Sequence, residues 1–205
     1  MTAPKVSVVA ICGIDGAGKT TLFEGLRGSR EFSSLLFRRF STRNNLALLR
    51  TAQAELGIES PYAQANDAAL CWAYCFDFLR YYESDVRPVL LHGSTLVSDR
   101  WAQCVVAFCS SEHSLREGVA LVLKAIPEPD LVLFLDVEPD EAYKRILSRG
   151  KPEKSLAVLE VYRRGYEEVL GSLGSRVTRI AGGSKEDVLA MALRAMALGG
   201  FSSGH

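Results

Sequence analysis

The sequence has no excess of charge of either sign and no long hydrophobic run. Lysine and arginine together number 24, as do aspartate and glutamate, in a chain of 205 residues. Without net positive charge, the chain has no general attraction to nucleic acid or to an anionic membrane. No apolar segment approaches the roughly 20 residues of a transmembrane helix. We therefore expect a cytoplasmic protein with neither nucleic acid nor membrane as a partner.

Histidine and cysteine are too scattered to predict a metal site. The histidines lie far apart, and no two cysteines form a C-x-x-C pair, which argues against zinc. An odd number of cysteines among apolar neighbours is typical of reduced core residues rather than of a disulfide framework. These residues are Cys12, Cys71, Cys75, Cys104 and Cys109.

Strand patterns alternate with helix patterns along the chain. Apolar runs such as VSVVAIC and LVLFLDV have the character of buried parallel strands, and amphipathic segments separate such runs. This alternation predicts an α/β fold, with a mostly parallel sheet covered by helices on both faces. We expect one domain over residues 1–198 and a disordered tail at 199–205.

A phosphate-binding loop follows the first predicted strand. In GIDGAGKT, the pattern G-x-x-x-x-G-K-[ST] is satisfied between a strand and a helix. Glycines let backbone N–H groups curve around a polyphosphate, Lys19 reaches the β- and γ-phosphates, and the Thr20 hydroxyl ligates Mg²⁺. We expect ATP and Mg²⁺ as cofactors. The residues assigned to the nucleotide are Gly13, Asp15, Gly16, Ala17, Gly18, Lys19, Thr20 and Thr21.

Two missing motifs narrow the reaction. The chain has no Asn-Lys pair, with which the guanine-recognition motif of GTPases begins. It also has no His-Arg-Asp segment, which protein kinases require. A kinase that acts on a small molecule fits both absences and the length of the chain.

Four segments resemble the thymidylate kinase family. They are GIDGAGKTT, VSDRW, PDLVLFLDVEPDEAYKRILSRG and YRRGYEEVL, and they extend over most of the chain. The resemblance implies a three-layer P-loop NTPase fold with five parallel strands and a short lid at about residues 148–156. It also implies transfer of the ATP γ-phosphoryl group to a nucleoside monophosphate, with dTMP as the first candidate. Because the family often forms dimers, a homodimer is a further expectation.

Asp15, Asp99 and Arg100 match functional positions of the family. The resemblance places Asp15 near the sugar of the acceptor and assigns the Asp99–Arg100 pair to magnesium and to the acceptor phosphate. These roles are chemically sound, since a carboxylate can hold Mg²⁺ and arginine can bind phosphate through two hydrogen bonds. The residues alone are equally compatible with a helix N-cap at Asp99 and a surface ion pair at Arg100.

The acceptor side departs from the family pattern. Arg43 resembles the arginine after the second strand, although the Glu-Pro-Gly-Gly-Thr that commonly follows is missing. In the helical segment YCFDF, Tyr74 takes the place of an aromatic residue that contacts the base, and Asp77 that of an aspartate. Phe78 stands where the family has a phosphate-binding arginine. We assign these residues to the substrate site, while their spacing with Tyr81 is also typical of a core face.

Cysteines replace polar residues further along the acceptor side. In CVVAFC, Phe108 matches the family, but Cys104 and Cys109 stand where polar side chains face a pyrimidine base. A site that loses such groups discriminates less between bases. This favours an alternative in which the same fold phosphorylates a hydroxyl of a non-nucleotide metabolite, such as a sugar. A non-catalytic nucleotide-binding regulator is a third alternative, against which the intact Lys19 and Asp99 argue.

The lid is expected to supply a catalytic cation. Ala17 leaves the phosphate loop without an arginine, and phosphoryl transfer needs positive charge around the moving group. In SRGKPEKS, Arg149 matches the family best, with Lys151, Lys154 and the upstream Arg145 as further candidates. A solvated basic loop between two helices is the alternative.

Overall fold

A parallel sheet of five strands forms the centre of the described structure. The computed structural model describes residues 7–41, 45, 47, 51, 55, 67–109, 113–150 and 154–201. The strands are β1 (Val8–Cys12), β2 (Leu36–Arg39), β3 (Leu96–Asp99), β4 (Leu131–Asp136) and β5 (Val177–Ala181). They lie in the order β2-β3-β1-β4-β5, and every pairing is parallel. The predicted fold class is confirmed.

Helices connect the strands and begin close to where the strands end. Helix α1 (Lys19–Arg27) follows the phosphate loop, and Tyr82–Val86 forms a π-helical turn in the connection before β3. The other described helices are α2 (Asp67–Tyr81), α3 (Arg87–Leu91), α4 (Ala102–Phe108), α5 (His113–Leu123), α6 (Pro139–Leu147), α7 (Leu156–Gly171) and α8 (Lys185–Leu198). Short 3₁₀ turns occur at Arg30–Phe32 and Gly174–Arg176.

The helices pack in two groups around the sheet. Helix α1 packs against α8, whereas α4 contacts α7 and α2 contacts both α4 and α5. Every residue of β1 and β3 is buried, while the edge strand β2 is only half-buried. Burial of the central strands on both faces explains their continuous apolar runs.

The packed domain extends beyond its expected end. Gly200 has a left-handed backbone with φ of 77°, and the N–H of Phe201 donates to the Met196 carbonyl at 3.0 Å. The Phe201 side chain is buried and belongs to the hydrophobic core. Core packing therefore continues past residue 198, because the aromatic side chain of Phe201 supplies apolar surface to the domain.

The cysteines are all free and buried, in agreement with their assignment to the core. In the part of the chain that the structure describes, no helix is both long and apolar enough to cross a membrane.

Candidate active site

The phosphate loop turns sharply between β1 and α1 because its glycines have left-handed backbones. The φ angles of Gly13, Gly16 and Gly18 are 148°, 85° and 101°. Gly16 has a second constraint, since a Cβ there would lie 2.4 Å from the carbonyl oxygen of Ala142 in α6. Only glycine fits such a position. The loop is therefore held against α6 at Gly16, with the N-terminus of α1 directly after it, an arrangement that favours anions.

Lys19 lies buried at the start of α1. Its Nζ donates hydrogen bonds to the carbonyl oxygens of Gly13 at 2.9 Å and Ile14 at 2.7 Å. Burial lowers the pKa of Lys19 from 10.5 to about 8, and the Arg100 charge acts in the same direction, while nearby carboxylates oppose both. The ammonium group is thus held in the loop, in a poorly solvated place.

The end of β3 brings the Asp99–Arg100 pair beside this loop. Ile11 of β1 pairs with Asp99 of β3, so the carboxyl ends of the two strands meet at one edge of the sheet. Arg100 has a left-handed backbone with φ of 79°. Two hydrogen bonds hold this conformation. The Arg100 N–H donates to the Ile11 carbonyl oxygen at 3.1 Å, and Ser98 Oγ donates to the Arg100 carbonyl oxygen at 2.7 Å. Such strained residues cluster at functional sites.

Asp15 joins the loop to its surroundings through three cations. Arg100 Nη2 lies 2.7 Å from Oδ1, Lys19 Nζ lies 3.6 Å from the same oxygen, and Lys154 Nζ forms an ion pair with Oδ2. Burial acts to raise the pKa of Asp15, but the charges of Lys154, Arg100 and Lys19 outweigh it and hold the pKa well below its ordinary value. Asp15 is therefore a fixed negative charge that positions these cations.

Two adjoining cavities open over the phosphate loop. The larger, of about 800 Å³, includes Asp99 and Arg100 in its lining. The smaller, of about 510 Å³, extends from the loop to the start of α8. Residues common to both linings are Gly16, Gly18, Thr21 and Arg149. Two cavities that meet at a phosphate loop suit a reaction between a donor and an acceptor.

Most of the other residues predicted to bind the nucleotide line one of these two cavities. Asp15, Lys19 and Thr20 line the larger cavity, and Ala17 lines the smaller one. Gly13, the first residue of the loop, lines neither cavity, and a Cβ there would approach the Leu135 carbonyl oxygen to 3.0 Å. Gly13 therefore shapes the loop through its backbone.

Thr20 and Asp99, the predicted magnesium ligands, line the same cavity. Asp99 is almost completely buried, and its Oδ1 has no hydrogen-bond partner among the described residues. A buried, unpaired carboxylate oxygen suits a metal ion or a metal-bound water. Within the described ranges, no cluster of three or more His, Cys, Asp or Glu side chains could hold a metal. A carboxylate and a hydroxyl fit an ion such as Mg²⁺, which takes further ligands from phosphate and water.

Arg39, which no sequence motif indicated, contacts both Thr20 and Asp99. Its Nη2 donates to Thr20 Oγ1 at 2.7 Å, and its Nε lies 3.2 Å from Asp99 Oδ2. The sheet places it there, because Arg39 pairs with Asp99 across β2 and β3. A basic residue at the end of a predicted parallel strand was the available signal, but the adjacency of these strands is not readable from the sequence.

Tyr74 and Phe78 have different environments although both belong to α2. Tyr74 lines the larger cavity. Phe78 is completely buried, with its ring centroid 5.1 Å from that of Phe40 and 5.9 Å from that of Trp101. Phe78 packs into the aromatic core and lines neither cavity, so its position does not support the predicted contact with the substrate.

Asp77 is also completely buried. Its Oδ1 accepts hydrogen bonds from the backbone N–H of Asn45 at 3.1 Å and from Asn45 Nδ2 at 3.0 Å. Asp77 lines neither cavity, so its position does not support the predicted contact with the substrate. Arg43 lies outside the described residues.

Cys104 and Phe108 are both buried, and neither lines the two cavities. Cys104 is completely buried with its sulfur 3.3 Å from that of Cys12, so its position does not support the predicted contact with the substrate. Phe108 is nearly buried, and its ring centroid lies 5.2 Å from Arg100 Cζ and 5.1 Å from Lys154 Nζ. Its described contribution is to support these cations.

The predicted lid cations occupy different places. Arg149 lines both cavities, and Arg145 lines the smaller one while it pairs with Glu141 at 3.0 Å. Lys154 is buried against Asp15, so the alternative of a solvated basic loop does not describe this residue. Lys151 lies outside the described residues.

Known proteins resemble this chain over almost its whole length. The thymidylate kinase family model matches residues 11–192. A probable thymidylate kinase of Pyrobaculum calidifontis is 30% identical over 200 residues, which cover 92% of this chain and 97% of that protein. One from Halobacterium salinarum is 29% identical over 199 residues, covering 93% and 95%. The thymidylate kinase of Xylella fastidiosa is 28% identical over 189 residues, covering 91% and 88%. With its phosphate loop and its Asp99–Arg100 pair in one cavity, the chain belongs to the thymidylate kinase family.

Proposed function

We propose that this chain is an ATP-dependent kinase that converts dTMP to dTDP, with Mg²⁺ as its cofactor. The observation that carries the proposal is the meeting of the phosphate loop and the Asp99–Arg100 pair around Asp15. Relatives that match almost the full chain are named thymidylate kinases, which supports the acceptor. The adjoining cavities provide space for two substrates.

The donor side holds ATP through the phosphate loop. The loop amides, the N-terminus of α1 and Lys19 bind its phosphates, since each supplies a donor or a positive charge. The smaller cavity receives the nucleoside part, because apolar side chains of α8, Val188 and Leu189, line it together with Arg145 and Arg149. This arrangement directs the γ-phosphate toward the larger cavity.

The acceptor side holds the phosphate of dTMP close to the donor. An oxygen of that phosphate attacks the γ-phosphorus, the bond from this phosphorus to the bridging oxygen breaks, and ADP leaves. A dianionic acceptor needs no general base, so the protein acts by position and charge. Arg100 Nη1 is buried without a partner among the described residues, which suits a donor to phosphate. Arg149, at the junction of the cavities, neutralises charge on the transferred group.

Thr20 Oγ1 and Asp99 Oδ1 are the groups that would hold Mg²⁺. When bound, the ion neutralises charge on the β- and γ-phosphates. Arg39 bonds to the same Thr20 hydroxyl, so its guanidinium competes with the metal for this oxygen.

The non-nucleotide alternative loses its support. It depended on Phe78, Cys104 and Cys109 as walls of the acceptor site, but all three are completely or almost completely buried, and none lines the larger cavity. Family membership also removes the non-catalytic regulator, since the relatives are named as kinases.

An ADP-release assay with ATP and Mg²⁺ tests the proposal. Acceptors are dTMP, dUMP, other nucleoside monophosphates, thymidine and simple sugars, with Lys19→Met as the inactive control. We expect turnover with dTMP, and loss of it in the variant. Turnover with sugars or thymidine and none with any monophosphate contradicts the proposal.

We also propose that the chain forms a homodimer through an apolar surface on α2 and α5. Phe76 stacks on Trp72 at 5.9 Å between ring centroids, yet is 53% exposed. Leu121 and Val122 of the neighbouring α5 are also exposed. Sedimentation velocity over a hundredfold range of concentration tests this, with Phe76→Glu expected to shift the equilibrium toward monomer.

A further inference from the structure

The lining of the larger cavity has more cations than carboxylates. Its carboxylates are Asp15 and Asp99, and its cations are Lys19, Arg39, Arg100, Arg149 and Lys154. Three of these cations, Lys19, Arg100 and Lys154, contact Asp15. The side chains of Lys19 and Lys154 are each only 6% exposed. A lining in which cations outnumber carboxylates favours an anionic ligand.

Two of these cations lie side by side. Arg100 Nη2 bonds to Oδ1 of Asp15, while Lys154 Nζ pairs with Oδ2 of the same carboxylate. Both groups also lie over the ring of Phe108, at 5.2 Å and 5.1 Å from its centroid. One carboxylate and one ring therefore hold a guanidinium and an ammonium close enough to share a single phosphate.

A second aromatic ring, that of Tyr162, also contacts the Lys154 ammonium group. Lys154 Nζ lies 4.8 Å from the ring centroid of Tyr162 in α7. Burial acts to lower the pKa of Lys154, but the Asp15 charge outweighs it and keeps the pKa above its ordinary value. The group is thus a permanent cation in the lining of the cavity.

We infer that Lys154 binds the phosphate of the acceptor together with Arg100, and so sets the preference for a phosphorylated nucleoside. The inference rests on the proposed function, and it gives this chain a second phosphate-binding cation although position 78 is a buried phenylalanine. Asp15 acts as the positioning residue, since it contacts both cations.

Binding measured without ATP tests the inference. Isothermal titration calorimetry compares dTMP with thymidine, which lacks the phosphate, on the wild type, Lys154→Met, Lys154→Arg and the control Lys124→Met on an exposed lysine. We expect Lys154→Met to weaken dTMP binding by about tenfold or more, since charged hydrogen bonds to phosphate are strong. Thymidine binding changes less than twofold, and Lys154→Arg keeps most of the dTMP affinity. In turnover, KM for dTMP rises more than kcat falls.

The outcomes separate the two proposals. A wild type that neither binds nor phosphorylates dTMP overturns the proposed function. A wild type active on dTMP, with dTMP binding unchanged in Lys154→Met or weakened equally for thymidine, overturns the inference alone. If Lys154→Met does not fold, nuclear magnetic resonance of the wild type provides a second test. The ¹⁵N resonance of the Lys154 ammonium group is assigned by its loss in Lys154→Arg and is then followed as ligand is added. A shift with dTMP and none with thymidine supports the inference, and no shift with either contradicts it.

Discussion

The charge of Lys19 depends on its burial and on its neighbours. With a pKa of about 8, it is mostly charged at pH 7 and mostly neutral at pH 9. Phosphates favour the charged form and raise this pKa, so ATP binding takes up a proton between the free and bound pKa values. The affinity for ATP is therefore highest when the pH is below the pKa of Lys19 in the free protein, and it declines above that pH. We expect ATP binding, measured by calorimetry, to weaken about tenfold from pH 7 to pH 9.

Lys19→Arg is the matched control for this titration. Its guanidinium stays charged over the same range, so the decline with pH should disappear. Titrations in buffers of different ionisation enthalpy should also detect proton uptake at pH 8 in the wild type and not in the variant. The assignment to Lys19 is wrong if both proteins lose affinity equally.

Phe78 illustrates what a motif match cannot decide. Its place in the helix corresponds to an arginine of the family, but its spacing with Tyr81 was also that of a core face, and the core environment is the one observed. Arginine there would bury an unpaired charge. We expect Phe78→Arg to lower the free energy of unfolding by about 3 kcal/mol or more, measured by urea denaturation. Leu91→Arg, at a side chain that is 76% exposed, should change it by less than about 0.5 kcal/mol.

At the scale of elements, the pairing of β2 with β3 creates a contact that neither strand has alone. It sets Arg39 opposite Asp99 and within 2.7 Å of the Thr20 hydroxyl. Because these oxygens are the proposed metal ligands, Arg39→Gln should strengthen metal binding. The expected gain is about two- to fivefold, since a half-exposed ion pair contributes at most about 1 kcal/mol.

Mn²⁺ titrations with ADP present, followed by electron paramagnetic resonance, measure this gain without turnover. Arg38→Gln is the control, because Arg38 is the adjacent arginine of the same strand and donates to the Phe37 carbonyl instead. Weaker Mn²⁺ binding in Arg39→Gln would mean that Arg39 supports the metal site rather than competes with it.

Local signals predicted the elements that need only their own sequence. The first strand, the glycine loop and α1 were predictable because hydrophobic pattern, glycine positions and Lys19 are contiguous. The contacts of Arg39 and Lys154 were not, since each depends on which distant segment lies beside it. Asp15 is 139 positions from Lys154, and no periodicity encodes that distance.

At the scale of the whole molecule, the parallel sheet assembles the site from distant segments. The loop after β1 and the Asp99–Arg100 pair after β3 meet because all strands run in the same direction. Lys154, which lies just before α7, forms an ion pair with Asp15 and adds a third cation to those that contact this carboxylate. The alternation of strands and helices predicted a mostly parallel sheet, but it did not predict the order of the strands.

Completion of the core by Phe201 is a property of the whole domain. Gly199 lies against this ring, as a Cβ there would come within 2.6 Å of it, and the ring itself is buried. We expect Phe201→Ala to lower the free energy of unfolding by about 2–4 kcal/mol in urea denaturation, as for other buried aromatic side chains. Leu198→Ala, which truncates a side chain that is 83% exposed, should change it by less than about 0.5 kcal/mol. A chain ending at residue 198 should be destabilised about as much as Phe201→Ala. If the truncated chain and the wild type have equal free energies of unfolding, residues 199–201 do not contribute to the stability of the domain.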